Sequence, residues 1–328
     1  MSQEAHDSAN ETLDWLSTDP YSHLVQGLHE GAYGDTSALS HPIYNLSSVD
    51  EDHHADYTSH GQINRPAVFH QLYYADPKRY KVAMVGGIAG SVTSSCVSMI
   101  SNELNKFKLP ENKLPSTWND ATSSSTSSDI KYYSGEVRLP AVGMENYLSV
   151  AFEVDGCDLN NSCRLNDDEL NGLDYLNRVL KNLLKLSCRK SSSSSFISPF
   201  LIQYSDSGLL GVTSTFSSTS NAIDGLKFGP FDDKDLATAK VLTKFELLSV
   251  LESTSCASRH LVSCPSSSSS KSYEEGEMAQ VDAVSLNQVK GVLSSKLKDW
   301  NVTTVGLGDL KHVPRRSEVQ EALRKNSK

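Results

Sequence analysis

The sequence predicts a mixed helix-and-strand fold in two related domains, the first of them incomplete. Three observations lead there. The chain has 328 residues, which suits two domains at about 100–200 residues each. Short apolar runs with strand character alternate with longer segments of helical periodicity along its whole length. A helix–strand–glycine unit at 67–87 (AVFHQLYYADPKRYKVAMVGG) recurs at 289–308 (VKGVLSSKLKDWNVTTVGLG), with Val85-Gly86 and Val305-Gly306 lying 220 residues apart. A repeat at that distance indicates tandem domains that each close on the same unit, yet too little strand precedes Ala67 to complete the first.

In the first part, Leu13, Leu16, Leu24, Val25 and Leu28 predict helical segments interrupted at Asp19-Pro20. Ala67 to Tyr74 reads as a short amphipathic helix, and Lys81–Val85 as a buried strand closed by Gly86-Gly87. Val92, Cys96, Met99, Ile100 and Leu104 then recur at helical spacing. Residues 111–130 hold Pro115 and the first serine run, Ser123–Ser128, and are expected to link residues 1–110 to residues 131–328.

In the second part, Glu136–Leu139 and the alternating run Tyr147–Val154 predict strands. Leu170, Leu173, Leu176, Val179, Leu180, Leu183 and Leu184 form the strongest helical stripe, with Asn166 and Glu169 in capping-box positions. Phe200–Tyr204 and Leu209–Phe216 read as strands about the turn Ser205–Gly208. A helix starts at Asp232 or Asp233, another spans Val281–Leu297, and a strand at Val302–Val305 is closed by Gly306.

Composition narrows the function. The net charge of −10, from 30 Lys+Arg against 40 Asp+Glu, argues against a protein that grips nucleic acid through phosphates. Apolar stretches are only a handful of residues, far short of the roughly 20 needed for a membrane helix. Cys96, Cys157, Cys163, Cys188, Cys256 and Cys264 form no CxxC pair and are expected to be reduced. The acidic start MSQEAHDSANETLDW has the character of neither a signal nor a transit peptide. Of the 52 serines, many fall in the runs Ser123–Ser128, Ser191–Ser195 and Ser266–Ser270, which read as solvated loops.

No constellation reaches a catalytic site. His29-Glu30 opens an HExxH pattern that fails at Tyr33. His53, His54, His60 and His70 cluster, but among Asp50, Glu51, Asp52 and Asp56 and without helical phase. Gly86–Gly90 matches neither a dinucleotide nor a P-loop fingerprint. Ser207 lacks the GxSxG frame, and no histidine has a sequence-level reason to lie beside it. Asp167–Glu169 and Asp232-Asp233 suit helix starts, where carboxylates meet the positive end of the dipole. The sequons at Asn10, Asn45 and Asn301 are expected by chance in a serine-rich chain. Catalytic, metal-binding and cofactor-binding residues are therefore all given as none, and no cofactor is expected.

Several segments do suggest a family. Val25–Tyr33 (VQGLHEGAY) resembles the "LH..AY" segment of the mitochondrial processing peptidase family, which includes the core subunits of ubiquinol–cytochrome c reductase, respiratory complex III. Tyr204–Gly211 (YSDSGLLG) and Tyr133–Arg138 (YSGEVR) are similar to a strand turn and a second-domain entry in the core-subunit branch. Asp235-Leu236, Ala239-Lys240, Leu248 and Glu252 fit a helix of the family, and Gly308-Asp309-Leu310 with Pro314 its closing strand and tail. These segments run in the family's order from Val25 onward.

The resemblance implies an α+β fold of tandem processing-peptidase-like domains, each a mixed β-sheet with helices on one face. Residues 1–110 would be the C-terminal part of a truncated first domain, and 131–328 the second domain. It further implies a non-catalytic core subunit on the matrix side of the mitochondrial inner membrane. Its partners would be core protein 1 and other complex III subunits such as cytochrome b, with no nucleic acid and with membrane attachment through those partners. The alternative is a subunit of a zinc-dependent processing peptidase that removes presequences. The inverted zinc motif HxxEH is absent from this chain, and Glu11 is too weakly aligned to stand as a third ligand. Lys185–Phe196 (KLSCRKSSSSSF) has no glycine where the peptidase's alpha subunit has a glycine-rich loop, which favours the core subunit. A truncated domain would leave sheet edges uncovered and make the chain partner-dependent.

Overall fold

The computed structural model describes residues 18–34, 37–40, 82, 85–86, 90–106, 131–141, 145–156, 167–190, 196–204, 207–217, 222–223, 226–263 and 273–326. They fall in two compact units, one drawn from 1–46, 130–247 and 267–328, the other from 47–129 and 248–266. The helices are α1 (Pro20–Tyr33), α2 (Gly90–Lys106), α3 (Asp167–Lys190), α4 (Asp233–Glu252), α5 (Thr254–Ser263), α6 (Tyr273–Ala283), α7 (Leu286–Lys296) and α8 (Arg316–Asn326). The strands are β1 (Glu136–Pro140), β2 (Asn146–Asp155), β3 (Phe196–Gln203), β4 (Ser207–Phe216) and β5 (Thr303–Gly308).

The strands form one mixed sheet in the order β1-β5-β2-β4-β3. Among the described strands only β1 and β5 run parallel; β5–β2, β2–β4 and β4–β3 are antiparallel. The period of two along a strand gives the sheet two apolar faces. Leu148, Val150, Phe152 and Val154 of β2, with Leu210, Val212 and Phe216 of β4, face the larger core. Leu176, Val179, Leu180, Leu183 and Leu184 of α3 cover them, joined by Leu236 and Ala239 of α4, Val281 of α6, Val289 of α7, and Val319 and Leu323 of α8. Burial of each such large apolar side chain stabilises the fold by roughly 1.5–3 kcal/mol. The opposite face, with Ala151, Leu209, Val305 and Leu307, is covered by α1 through Leu24, Leu28, Ala32 and Tyr33. This is the expected α+β class with a mixed sheet; α1 adds a helix on the second face.

Local chemistry sets the helix ends. Asp19 and Pro20, read from sequence as an interruption, start α1: the Asp19 carboxylate accepts from the N–H groups of Tyr21 (3.3 Å) and Ser22 (2.9 Å), and Pro20 fits the first turn. Asp232 starts α4 as expected, accepting from the Asp235 N–H at 2.7 Å. The helix expected over 281–297 is two helices, α6 and α7. Ser285 ends the run by capping α7 in a reciprocal box with Gln288.

Other differences are smaller. β3 begins at Phe196, upstream of the expected Phe200. Gly306 lies inside β5 and does not close it; a Cβ there would sit 2.3 Å from Val313 Cγ1, so the strand needs glycine for the returning tail to cross it. The tail beyond Pro314 is helix α8, and α5 was likewise not expected. The helix 67–74, almost all of the strand 81–85, the serine runs and the four clustered histidines lie outside the described residues. Among the described residues no helix is long and apolar enough to cross a membrane.

Candidate functional site

Helix α1 comes from the sequence ahead of the 111–130 segment but packs on the sheet formed after it. Gly27 and Gly31, one turn apart, make the close approach possible. A Cβ on Gly27 would lie 2.9 Å from Val305 Cγ1, and one on Gly31 would lie 3.0 Å from Thr303 Cγ2 and 3.2 Å from Val137 Cγ2. At this distance the last turn of the helix finds partners for carbonyls that would otherwise lack them. Gly135 N–H donates to Gly31 O at 2.6 Å and Tyr133 N–H to Ala32 O at 2.7 Å.

The polar side chains of α1 are also taken up at this junction. Val25 O lies 2.6 Å from His29 Nδ1, so Nδ1 carries the proton and donates. The other ring nitrogen, Nε2, then accepts from the Tyr204 hydroxyl, and the two rings meet edge-on at 5.6 Å. Burial pushes the His29 pKa below its usual value, with the Val25 bond opposing, which keeps the imidazole neutral. The Tyr33 hydroxyl pairs with Ser207 Oγ at 2.9 Å inside the core, and burial holds its phenol well above the ordinary range. Tyr132 donates to Ala151 O (3.2 Å) and accepts from Thr303 Oγ1 (2.9 Å); burial pushes its pKa up to about 12. All these groups are neutral and bonded to protein. His29 contacts Tyr204 and not Ser207, so no base–nucleophile pair forms.

On the far side of Tyr132 lies an open depression of about 480 Å³, lined by Lys131, Tyr132, Glu153, Ser295, Lys296, Lys298 and Asn301. Lys296 Nζ lies 2.6 Å from Asp155 Oδ1 and 3.8 Å from Glu153 Oε2. Burial raises the Glu153 pKa, Lys296 opposes the rise and Asp155 adds to it. Among the described residues no group of three or more His, Cys, Asp or Glu side chains could hold a metal ion. Glu11, His53, His54, His60 and His70 lie outside those residues. Cys188 is buried, and burial raises its thiol pKa to about 11, the inert state of a core cysteine.

No family model matches the chain, and no curated protein does. Among solved structures 131 chains match. One belongs to complex III2 from Candida albicans with Inz-5 bound: it is 15% identical, with 98% of this chain and 74% of that chain covered, at a TM-score of 0.66. The two chains share a fold.

Within that fold, the segments singled out in the sequence meet. The "LH..AY" segment supplies His29 and Tyr33, which bond Tyr204 and Ser207 of YSDSGLLG. The same helix end receives Tyr133 and Gly135 of YSGEVR. Arg138 of that segment donates to the carbonyls of Leu310 (2.6 Å), Val313 (3.2 Å) and Pro314 (3.4 Å), fixing the closing GDL/P segment. Helix α1 thus links motifs at both sides of the sheet, YSDSGLLG beside β3 and β4 and YSGEVR beside β1, with Arg138 carrying the connection on to the closing segment. The linked groups are bonded to one another, so the arrangement fixes structure. Sequence reasoning missed the pairing of His29 with Tyr204; the signal available was the glycine pair Gly27/Gly31 on the helix face that approaches the sheet.

Proposed function

We propose that this chain is a core subunit, resembling core protein 2, of mitochondrial respiratory complex III. It is a scaffold on the matrix side of the inner membrane, pairs with core protein 1, and supports assembly of the electron-transfer subunits, cytochrome b among them. The observation that carries this reading is the structural likeness to a chain of complex III2 across 98% of the sequence. The junction of α1 with β1, β4 and the closing tail supports it, because motifs chosen for their resemblance to the core subunits come together there. Its chemistry fits a scaffold: hydrogen bonds within the chain engage His29, Tyr33, Tyr204, Ser207 and the Arg138 guanidinium and hold a shape. Residues 1–110 are, on this proposal, the C-terminal part of a first processing-peptidase-like domain and 131–328 the second, with α1 lent to the second domain's sheet.

Deletion of the gene tests the role. The expected result is loss of assembled complex III and of ubiquinol–cytochrome c reductase activity, both restored by the wild-type chain. Normal assembly with unprocessed mitochondrial precursors accumulating would instead support the zinc-dependent processing peptidase.

A further inference from the structure

The depression beside Tyr132 carries a local excess of positive charge. Lys131, Lys296 and Lys298 line it against one carboxylate, Glu153, although the whole chain has a net charge of −10. Lys296 is taken up by the two acids of β2, at 2.6 Å from Asp155 Oδ1 and 3.8 Å from Glu153 Oε2. Lys131 and Lys298 are exposed, and among the described residues neither pairs with a carboxylate. The Lys131 ammonium lies instead 5.4 Å from the centre of the Tyr133 ring, a cation–π contact that leaves its charge unneutralised. Every residue of the depression belongs to the compact unit drawn from 1–46, 130–247 and 267–328.

Asn301 adds a donor to the wall. Its Oδ1 accepts from Ser134 Oγ at 2.8 Å and from Arg316 Nη2 at 3.2 Å. Arginine only donates, so the contact fixes which end of the amide is oxygen and leaves the two N–H groups of Nδ2 for the depression. Arg316 also donates to Val302 O at 3.0 Å and Ser134 Oγ at 2.9 Å. These acceptors are all neutral, so its charge adds to that of the lysines. The backbone beside this amide is unusual. Ser134 and Trp300 have φ of 53° and 56°, and among the described residues they alone enter the left-handed region without being glycine. A bulky side chain rarely adopts that conformation, and such strain gathers where a site is held in a set shape. Ser134 touches Asn301 through its hydroxyl, and Trp300 precedes it in the chain.

Cations without carboxylate partners that line one concave wall raise the local concentration of anions. Lysine acts on phosphate as a point charge, and an amide N–H adds a directed hydrogen bond. A volume of about 480 Å³ lies in the range of small-molecule sites. We propose that this depression is a binding site for a phosphate group, carried by a small molecule or a lipid headgroup, with Lys131, Lys298 and Asn301 Nδ2 as its donors. Arg316 acts through Asn301, as a positioning residue that holds the amide in place. The inference goes beyond the complex III reading, and neither depends on the other.

Isothermal titration of the full chain with pyrophosphate at low ionic strength tests it. One site is expected, weakened about tenfold by Lys131→Ala or Lys298→Ala and abolished by the double variant K131E/K298E. Glu153→Gln removes the competing carboxylate and should tighten binding several-fold. Lys325→Ala removes an equal charge at the far end of α8 and should leave binding unchanged. The three lysines are exposed, so their variants keep the fold. Vesicles of phosphatidylcholine with phosphatidic acid form the second arm. Capture that K131E/K298E abolishes assigns the phosphate to a lipid headgroup, and pyrophosphate binding without capture assigns it to a soluble ligand. Failure to bind in both arms, binding indifferent to Lys131 and Lys298, or an equal loss in Lys325→Ala overturns the proposal, as does succinate binding as tightly as pyrophosphate.

Discussion

Replacing Gly135 by alanine tests the docking of α1 at its tightest point. The added Cβ would lie 2.6 Å from Gly31 O, 3.1 Å from Gly31 Cα and 3.2 Å from Gly31 C, all backbone atoms that no rotamer change can move. Helix and strand must separate, at the overpacking cost of about 1–3 kcal/mol. Separation also stretches the bonds from Gly135 N–H to Gly31 O and from Tyr133 N–H to Ala32 O, each worth about 0.5–1.5 kcal/mol net. The expected loss is about 2–6 kcal/mol. Gly27→Ala meets a side-chain methyl, Val305 Cγ1, first, and gains about 1 kcal/mol of helix propensity, so it should cost much less. Gly291→Ala in α7 meets nothing within 4 Å and should stabilise by about 1 kcal/mol. Urea unfolding followed by far-UV circular dichroism gives all three values. If Gly135→Ala and Gly291→Ala shift stability alike, the described packing of α1 on the sheet is wrong.

Three further outcomes follow from the same geometry. Because burial depresses the His29 pKa, the unfolded chain binds its proton first as pH falls below about 6.5. His29 therefore contributes stability present above that pH and lost toward its lower folded value, and His29→Phe should flatten this part of a stability–pH profile measured by unfolding. The Glu153 pKa is raised, so its carboxylate costs stability as pH rises above the unfolded value. Glu153→Gln should thus melt higher than wild type at neutral pH, with the gap closing below about pH 4.5; an unchanged gap would contradict the burial argument. Arg138→Met removes the donor to three tail carbonyls and should cost about 1.5–3 kcal/mol, with faster amide exchange through residues 309–316.

Legibility in the sequence followed the range of the interaction. The β2 alternation and the α3 stripe are local, and both elements lie where the sequence puts them. The break between α6 and α7 was missed because Val281, Val289 and Leu297 keep an apolar rhythm across it, although Ser285 and Gln288 carry the capping signal. Helix α8 reads as tail in the sequence because its inward face is only Val319 and Leu323 on a strongly polar segment. The junction itself lay beyond local reasoning. His29 and Tyr204 are 175 residues apart, and periodicity describes a helix face without naming the strand that receives it. The fold class was legible through short collinear segments, whose shared reason became visible only where α1 links the two sides of the sheet.

The most direct test of the proposed role is a native gel of mitochondrial membranes from cells that express the tagged full chain, solubilised in mild detergent. The account predicts that the tag migrates with cytochrome b in the complex III band. A tag found only apart from cytochrome b, in a species that cleaves presequences in a chelator-sensitive manner, would contradict it.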